Sequence, residues 1–194
     1  MDRIIQKRGS KRPRVLLHSC CGPCSSAVLE YLTPCFDVTI LWYNPNLYPR
    51  EEFDRRLRTQ LELLDKMGLR GRVAILTEDW REEDYRAAAA GLEEEPEGGA
   101  RCTACFRLRL CETARIAKRE GFDFFCTTLT LSRHKDARRI NALGEQIAAE
   151  EGVAWLPSDF KKQGREMRSR ELATMYGLYQ QLYCGCRYSL EKRR

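Results

Sequence analysis

The stretch His18-Ser19-Cys20-Cys21-Gly22-Pro23-Cys24-Ser25 constrains this chain most, because three cysteines fall within five positions where an apolar run, Val15-Leu16-Leu17, ends. The run has the length of a buried strand, and Pro23 suits the first turn of a helix whose spacing resumes at Ser26-Ala27-Val28-Leu29. Strand-to-helix turns of this kind ordinarily cradle phosphate with glycines and backbone N–H groups. This one offers thiols. Adjacent cysteines at a strand end can hardly bond to each other without strain, yet both can reach one external soft centre.

Cysteine accounts for 10 of the 194 residues, and the chain opens Met1-Asp2-Arg3-Ile4-Ile5-Gln6-Lys7 with no apolar signal region. Ten thiols in a reducing cytosol point to metal or redox work, so the expectation is a cytoplasmic protein. No membrane partner is expected either, since the best apolar stretch, Val38-Thr39-Ile40-Leu41-Trp42, is only strand-sized. A hydrophobic content of 43% over this length suits one core, hence a single domain over 14–194 behind a basic amino-terminal tail over 1–13. The formal charge is +6, with Lys7, Arg8, Lys11, Arg12 and Arg14 crowding the amino end, while Glu82, Glu83, Asp84, Glu93, Glu94, Glu95 and Glu97 make the middle acidic. That asymmetry fits a polyanion such as nucleic acid touching one face; a solvated tail accounts for the first dozen residues equally well.

From Arg14 onward, short apolar runs alternate with amphipathic helices, which predicts an α/β fold: a mostly parallel, Rossmann-like sheet flanked by helices. Strands are expected near 14–18, 37–43, 72–76, 123–127 and 153–156. Helices are expected over 23–32, 49–67, 80–90, 102–120 and 135–150, with a further one over 166–182. The second strand runs into Tyr43-Asn44-Pro45-Asn46-Leu47-Tyr48-Pro49, where two prolines end pairing and Pro49 can open the next helix. In an open parallel sheet this loop lies beside the cysteine turn, where ligands bind.

After an acidic loop from Glu93 to Gly99 comes Arg101-Cys102-Thr103-Ala104-Cys105-Phe106-Arg107-Leu108-Arg109. A C-x-x-C at a helix start puts two sulfurs on one face, near the positive end of the helix. With Cys20, Cys21, Cys24 and a late Cys184-Gly185-Cys186, the thiols exceed what one tetrahedral zinc requires. Cys35, Cys111 and Cys126 sit singly among apolar or helical neighbours and read as core or incidental thiols. Thr127-Thr128-Leu129-Thr130-Leu131-Ser132 follows the fourth strand and offers hydroxyls to a ligand. Tyr176, Tyr179, Tyr183 and Tyr188 accompany Arg187 around the C-G-C and read as a helix packing its tyrosines on the domain, or as a stacking surface for bases.

Taken together, H-x-C-C-x-P, Tyr43-Asn44-Pro45-Asn46, Arg101-Cys102-x-x-Cys105-Phe106-x-x-Arg109-Leu110, the Thr127–Ser132 run and Tyr183-Cys184-Gly185-Cys186-x-Tyr188-Ser189 resemble the QueH family of cobalamin-independent epoxyqueuosine reductases. The likeness runs from Val15 to Ser189. It implies a [4Fe-4S] enzyme with a further metal beside the cluster, reducing the epoxide of epoxyqueuosine in the anticodon of transfer RNA to give queuosine. The position of Cys24 departs from the family pattern, in which a carboxylate replaces the thiol. The fold is also similar to that of the ATP-pyrophosphatases, but thiols and Pro23 stand where their phosphate loop has glycines and an aspartate, so no ATP is expected.

On this resemblance Cys20, Cys21, Cys102 and Cys105 are expected on the cluster, being two pairs at the mouths of a strand and a helix. Cys24, Cys184 and Cys186 are left for the second metal, with iron the more economical choice because zinc cannot share the redox load. His18 and Tyr43 are the expected proton donors; Asn44, Asn46, Arg107 and Arg109 are expected to bind substrate, with Lys161 and Lys162 as further phosphate contacts. The partners implied are transfer RNA and an unidentified electron donor. The competing reading is a zinc-stabilised nucleic-acid-binding module without catalysis.

Overall fold

The computed structural model describes residues 12–191. Most of the basic tail, including Lys7, Arg8 and Lys11, therefore lies outside the described residues. The sheet has five parallel strands: β1 (Arg14–His18), β2 (Asp37–Trp42), β3 (Ala74–Thr77), β4 (Phe124–Thr127) and β5 (Ala154–Trp155), in the order β3-β2-β1-β4-β5. Among the described residues seven α-helices lie around it: α1 (Gly22–Leu32), α2 (Arg50–Lys66), α3 (Glu82–Ala89), α4 (Ala100–Arg119), α5 (Ala137–Glu151), α6 (Arg165–Met175) and α7 (Arg187–Glu191). No helix among the described residues is long and apolar enough to cross a membrane.

β1 is the central strand, and its apolar run is what centrality demands, because both faces of the strand are covered. Val15, Leu16 and Leu17 have no exposed surface, each contributing about 1.5–3 kcal/mol on burial as an upper figure. Leu17 pairs with Ile40 on one side and Cys126 on the other, and His18 with Leu41 and Thr127. α1 packs against α2 and α6, while α4 packs against α3 and α5 and lies on β1 and β4. The strand order reverses between β1 and β4, so the carboxyl ends of these two strands form the crevice in which such sheets hold ligands.

Five expected helices occur within about two residues of their predicted bounds. The sixth is shorter: α6 ends at Met175 where 166–182 was expected, because Gly177 takes a positive φ of 55° and the chain turns away. Tyr179 and Tyr183 consequently sit in a loop and Tyr188 on the separate α7, in place of one tyrosine-bearing helix. The run after β4 is a short 3-10 turn over Thr128–Leu131, and Thr127 Oγ1 caps it by accepting from the Leu129 N–H at 3.1 Å.

Candidate active site

The first cysteine turn is held by a buried polar knot. Ser19 and Ser25 hydroxyls lie 2.5 Å apart and donate to Gln60 Oε1 at 2.8 and 2.7 Å, and Asn44 Nδ2 donates to the Ser19 carbonyl at 2.7 Å. Gly22 lets α2 come close, since a Cβ there would stand 3.0 Å from both Thr59 Cγ2 and the Thr59 carbonyl. With the backbone fixed, Cys20, Cys21 and Cys24 line a cavity of about 430 Å³. Their thiols are chained by hydrogen bonds, Cys20 with Cys21 and Cys21 with Cys24.

A second set of thiols meets at an adjoining cavity. Cys102 and Cys105 come from the first turns of α4, Cys184 and Cys186 from the loop before α7, and all four line this cavity beside Asn46, Tyr85 and Arg109. The acidic loop closes over it: Arg101 holds the carbonyls of Leu92 and Glu93, and Arg139 Nη1 donates to the Gly98 carbonyl at 2.5 Å. Gly98 donates its N–H to Cys102 Sγ at 3.2 Å. Cys184, Glu97, His134 and Lys135 line both cavities, which are thus two compartments of one site.

Charge in this site is lopsided. Arg109 is buried, 2% exposed, and donates to the Cys105 carbonyl at 3.2 Å; burial disfavours its charge, but Cys105, Cys20 and Cys184 outweigh that and raise its pKa. Half-buried Lys135 follows the same pattern, with Cys184, Cys20 and Cys24 overcoming desolvation. The thiols are pushed the other way. Cys105 rises to about 12, chiefly through burial. Cys21 rises to about 12, its hydrogen bond with Cys20 opposing the shift and that with Cys24, together with burial, producing it. Cations set among protonated thiols suit a soft cationic centre that draws off the thiol protons while leaving an anionic assembly for Arg109 and Lys135 to face.

Comparison with known proteins bears on what this site serves. The family model described as "Epoxyqueuosine reductase QueH" matches residues 15–192. The chain belongs to the QueH family. Among its relatives, the epoxyqueuosine reductase QueH of Streptococcus pyogenes serotype M1 is 40% identical over 97% of this chain and 77% of that protein. The Staphylococcus epidermidis protein of the same name is 39% identical over 99% of this chain and 85% of its own length. That of Thermotoga maritima is 32% identical over 93% and 92%.

Against the QueH expectation, the donor set fits an iron–sulfur centre in kind: seven thiols from three remote stretches reach one two-part site. Among the described residues no three His, Cys, Asp or Glu side chains are gathered closely enough to hold one ion as they stand. The cavities group the thiols in another way than the expected division of ligands did. Cys102 and Cys105 share a cavity with Cys184 and Cys186, and Cys20 and Cys21 share theirs with Cys24 and with Cys184, which lines both, because the C-G-C loop docks on α4 while α1 directs Cys24 back toward its own turn.

Other expected residues of this QueH site divide sharply. Asn46 lines the four-thiol cavity, with a buried Oδ1 that has no hydrogen-bond partner. Asn44 is spent on bracing Ser19. His18 is sealed, its Nδ1 2.8 Å from Thr127 Oγ1 and its Nε2 3.2 Å from the Tyr43 carbonyl; burial first, then Arg109, lowers its pKa to about 3. Tyr43 turns its hydroxyl to Asp84 at 3.1 Å in a separate cavity beyond α3, which it shares with Arg107. Arg107 reaches Glu150 at 2.7 Å, and Lys161 donates to the carbonyls of Thr130 and Lys135 at 3.2 and 3.3 Å. Lys162 is exposed, clear of both thiol cavities. The groups that sequence reasoning missed are Glu97, His134, Lys135 and Arg56. Three of them sit in polar loops with nothing to distinguish them from solvated charge, and Arg56 sits in a helix that reads as amphipathic.

Proposed function

We propose that this chain reduces epoxyqueuosine to queuosine in the anticodon of transfer RNA. The observation that carries the reading is the convergence of seven thiols from three remote stretches on two adjoining cavities, in a member of a family whose relatives bear that enzyme's name. Overall, the epoxide takes up two electrons and two protons, both C–O bonds break, the oxygen leaves as water and an alkene remains. When bound, a [4Fe-4S] cluster and a second metal, iron, would supply the electrons and a Lewis acid for the departing oxygen. An unidentified electron donor provides the electrons from outside. Neither cobalamin nor ATP takes part.

The thiol grouping supports Cys102, Cys105, Cys184 and Cys186 as cluster ligands, with Cys20, Cys21 and Cys24 for the second metal. This differs from the division expected on the sequence alone. In the wider cavity, Ser132, His134, Lys135, Gln181 and Leu182 surround the space that the modified base would occupy. A base splayed from a single-stranded loop can enter such a space, whereas a base stacked in a helix cannot. Protons come from the rim. His134, Lys135 and Glu97 face both compartments, while His18 and Tyr43 are turned away from them. A cytoplasmic location follows from the substrate.

The deciding experiment is anaerobic purification with iron and sulfide analysis, followed by assay on transfer RNA with and without epoxyqueuosine. Brown protein that converts only the modified RNA upholds the reading. A colourless, zinc-containing protein that binds RNA without chemistry rejects it.

A further inference from the structure

The loop carrying Cys184 and Cys186 has little secondary structure of its own, yet it must present two thiols to α4 and to the first cysteine turn. What fixes it comes from α2. Arg56 is 1% exposed, and each nitrogen of its guanidinium donates: Nε to Glu52 Oε1 at 2.7 Å, Nη1 to the Cys184 carbonyl at 3.2 Å and Nη2 to the Tyr183 carbonyl at 3.2 Å. Glu52 is itself held, accepting from the Tyr179 hydroxyl at 3.0 and 3.1 Å. The loop's other edge is sewn to the end of the Asn44–Tyr48 turn, where the Tyr48 N–H donates to the Gly185 carbonyl at 2.8 Å and the Tyr183 hydroxyl donates to the Tyr48 carbonyl. Gly185 has φ 123°, and a Cβ there would run into Leu47 Cδ2 and crowd Arg56 Nη1. The close approach that glycine permits is to Leu47 first and to Arg56 beside it.

The same guanidinium also lines the wider cavity, in one wall with Cys20, Cys21 and Cys24. It therefore reaches both halves of the site in different ways: by hydrogen bonds to backbone carbonyls on the C-G-C side, and by lining the same cavity as the first-turn thiols. A lysine could carry the charge but not the planar fork that meets Glu52 and two carbonyls at once.

We infer that Arg56 is a positioning residue for both thiol sets, a buried fork that docks the Cys184-Gly185-Cys186 loop against the first cysteine turn so that the two cavities adjoin. It acts through the ligands and does not touch substrate. The inference rests on the proposed function only in treating Cys184 and Cys186 as ligands, and its test includes a reading that needs no metal at all.

That test is hydrogen exchange at the Tyr48 amide, whose acceptor is Gly185, together with iron and sulfide analysis, on full-length wild type, Arg56→Met and Arg56→Lys. Loss of the two carbonyl bonds should speed Tyr48 exchange by roughly tenfold or more in both variants, while amides in the β1 core keep wild-type rates. Arg56→Lys, which keeps the buried charge beside Glu52, covers the case in which Arg56→Met unfolds globally. Iron and sulfide per chain should fall below wild type in Arg56→Lys even though the fold is kept. Wild-type Tyr48 protection in Arg56→Lys would overturn the inference, as would wild-type iron and sulfide there. If wild type itself holds no iron, the function proposed above fails, and faster Tyr48 exchange in the variants still establishes the docking role.

Discussion

His18 Nδ1 stands 2.8 Å from Thr127 Oγ1, tying the carboxyl ends of β1 and β4 together at the point where the strand order reverses. Thr127 Oγ1 also accepts from the Leu129 N–H, so this one bond carries the strand end into the 3-10 turn that leads to His134 and Lys135. The histidine is part of the frame of the site. Replacing it with Phe removes two buried hydrogen bonds and should cost about 1–3 kcal/mol in chemical denaturation. The pH profile of turnover should keep its wild-type shape, because a fully buried ring held neutral near pH 7 delivers no proton; loss of one limb in His18→Phe would reassign it to catalysis.

Cysteine variants separate the two compartments. Alanine at Cys102, Cys105 or Cys186 should abolish the iron–sulfur chromophore. Cys24→Ala should keep sulfide at wild-type level while losing metal in excess of the cluster, together with turnover. Sulfide loss in Cys24→Ala, or its full retention in Cys186→Ala, would contradict the grouping. Inductively coupled plasma analysis beside a sulfide assay reads both.

At the rim, His134→Gln and Lys135→Met test proton delivery. General acids contribute roughly 10²–10⁴-fold, so the variant lacking the true donor should lose that much in kcat with KM little changed. The other should lose far less. Equal, small effects in both would point to Glu97.

RNA affinity should depend on exposed cations near the opening and not on the arginines already paired. Arg133 adjoins His134, whereas Arg107 is engaged by Glu150 on the far side of α4. Arg133→Ala should weaken binding several-fold and lower the slope of log affinity against log salt by about 1, while Arg107→Ala leaves both near wild type. Filter binding over a range of salt measures this.

Glu30 on α1 meets Arg168 on α6 at 2.8 and 3.0 Å, and this pairing, chiefly the hydrogen bond, lowers the carboxyl's pKa. A lowered folded pKa means the contribution is present above the unfolded carboxylate range and fades as pH falls through the folded value. The pair is solvent-exposed, so Glu30→Gln should cost only about 0.2–1 kcal/mol at neutral pH, and the difference should shrink in acid and in high salt.

Much of the fold was legible in the chain because its signals are local: a three-residue apolar run for β1, prolines at the starts of α1 and α2, and helical spacing broken by turn residues. The thiols were legible as chemistry for the same reason, since a rare residue clustered three times is conspicuous. Their pairing was not, because Cys105 and Cys186 lie far apart in sequence and only the docking of a loop on α4 joins them. Arg109 looked like a phosphate contact and is instead buried among thiols; whether an arginine on an amphipathic helix faces in or out depends on what covers that face. Tyr43 misled in the converse way, since it ends a strand that points toward the site but its ring passes under α3. The tyrosine-rich segment after Met175 keeps helical spacing, and one glycine at positive φ cancels it.

The loop that completes the site has a bearing on biosynthesis. A chain emerging vectorially from the ribosome presents Cys20, Cys21 and Cys24 early and Cys102 and Cys105 midway, and once Thr127 has emerged the whole central sheet except β5 can form. Until Gly185 reaches Leu47 and Tyr48, the second thiol set has only half its members, so a nascent chain can be folded in its core and still offer just two sulfurs of the four. Assembly of the centre is thereby deferred to a late step of translation, and a chain truncated ahead of residue 184 should accumulate as folded but colourless protein.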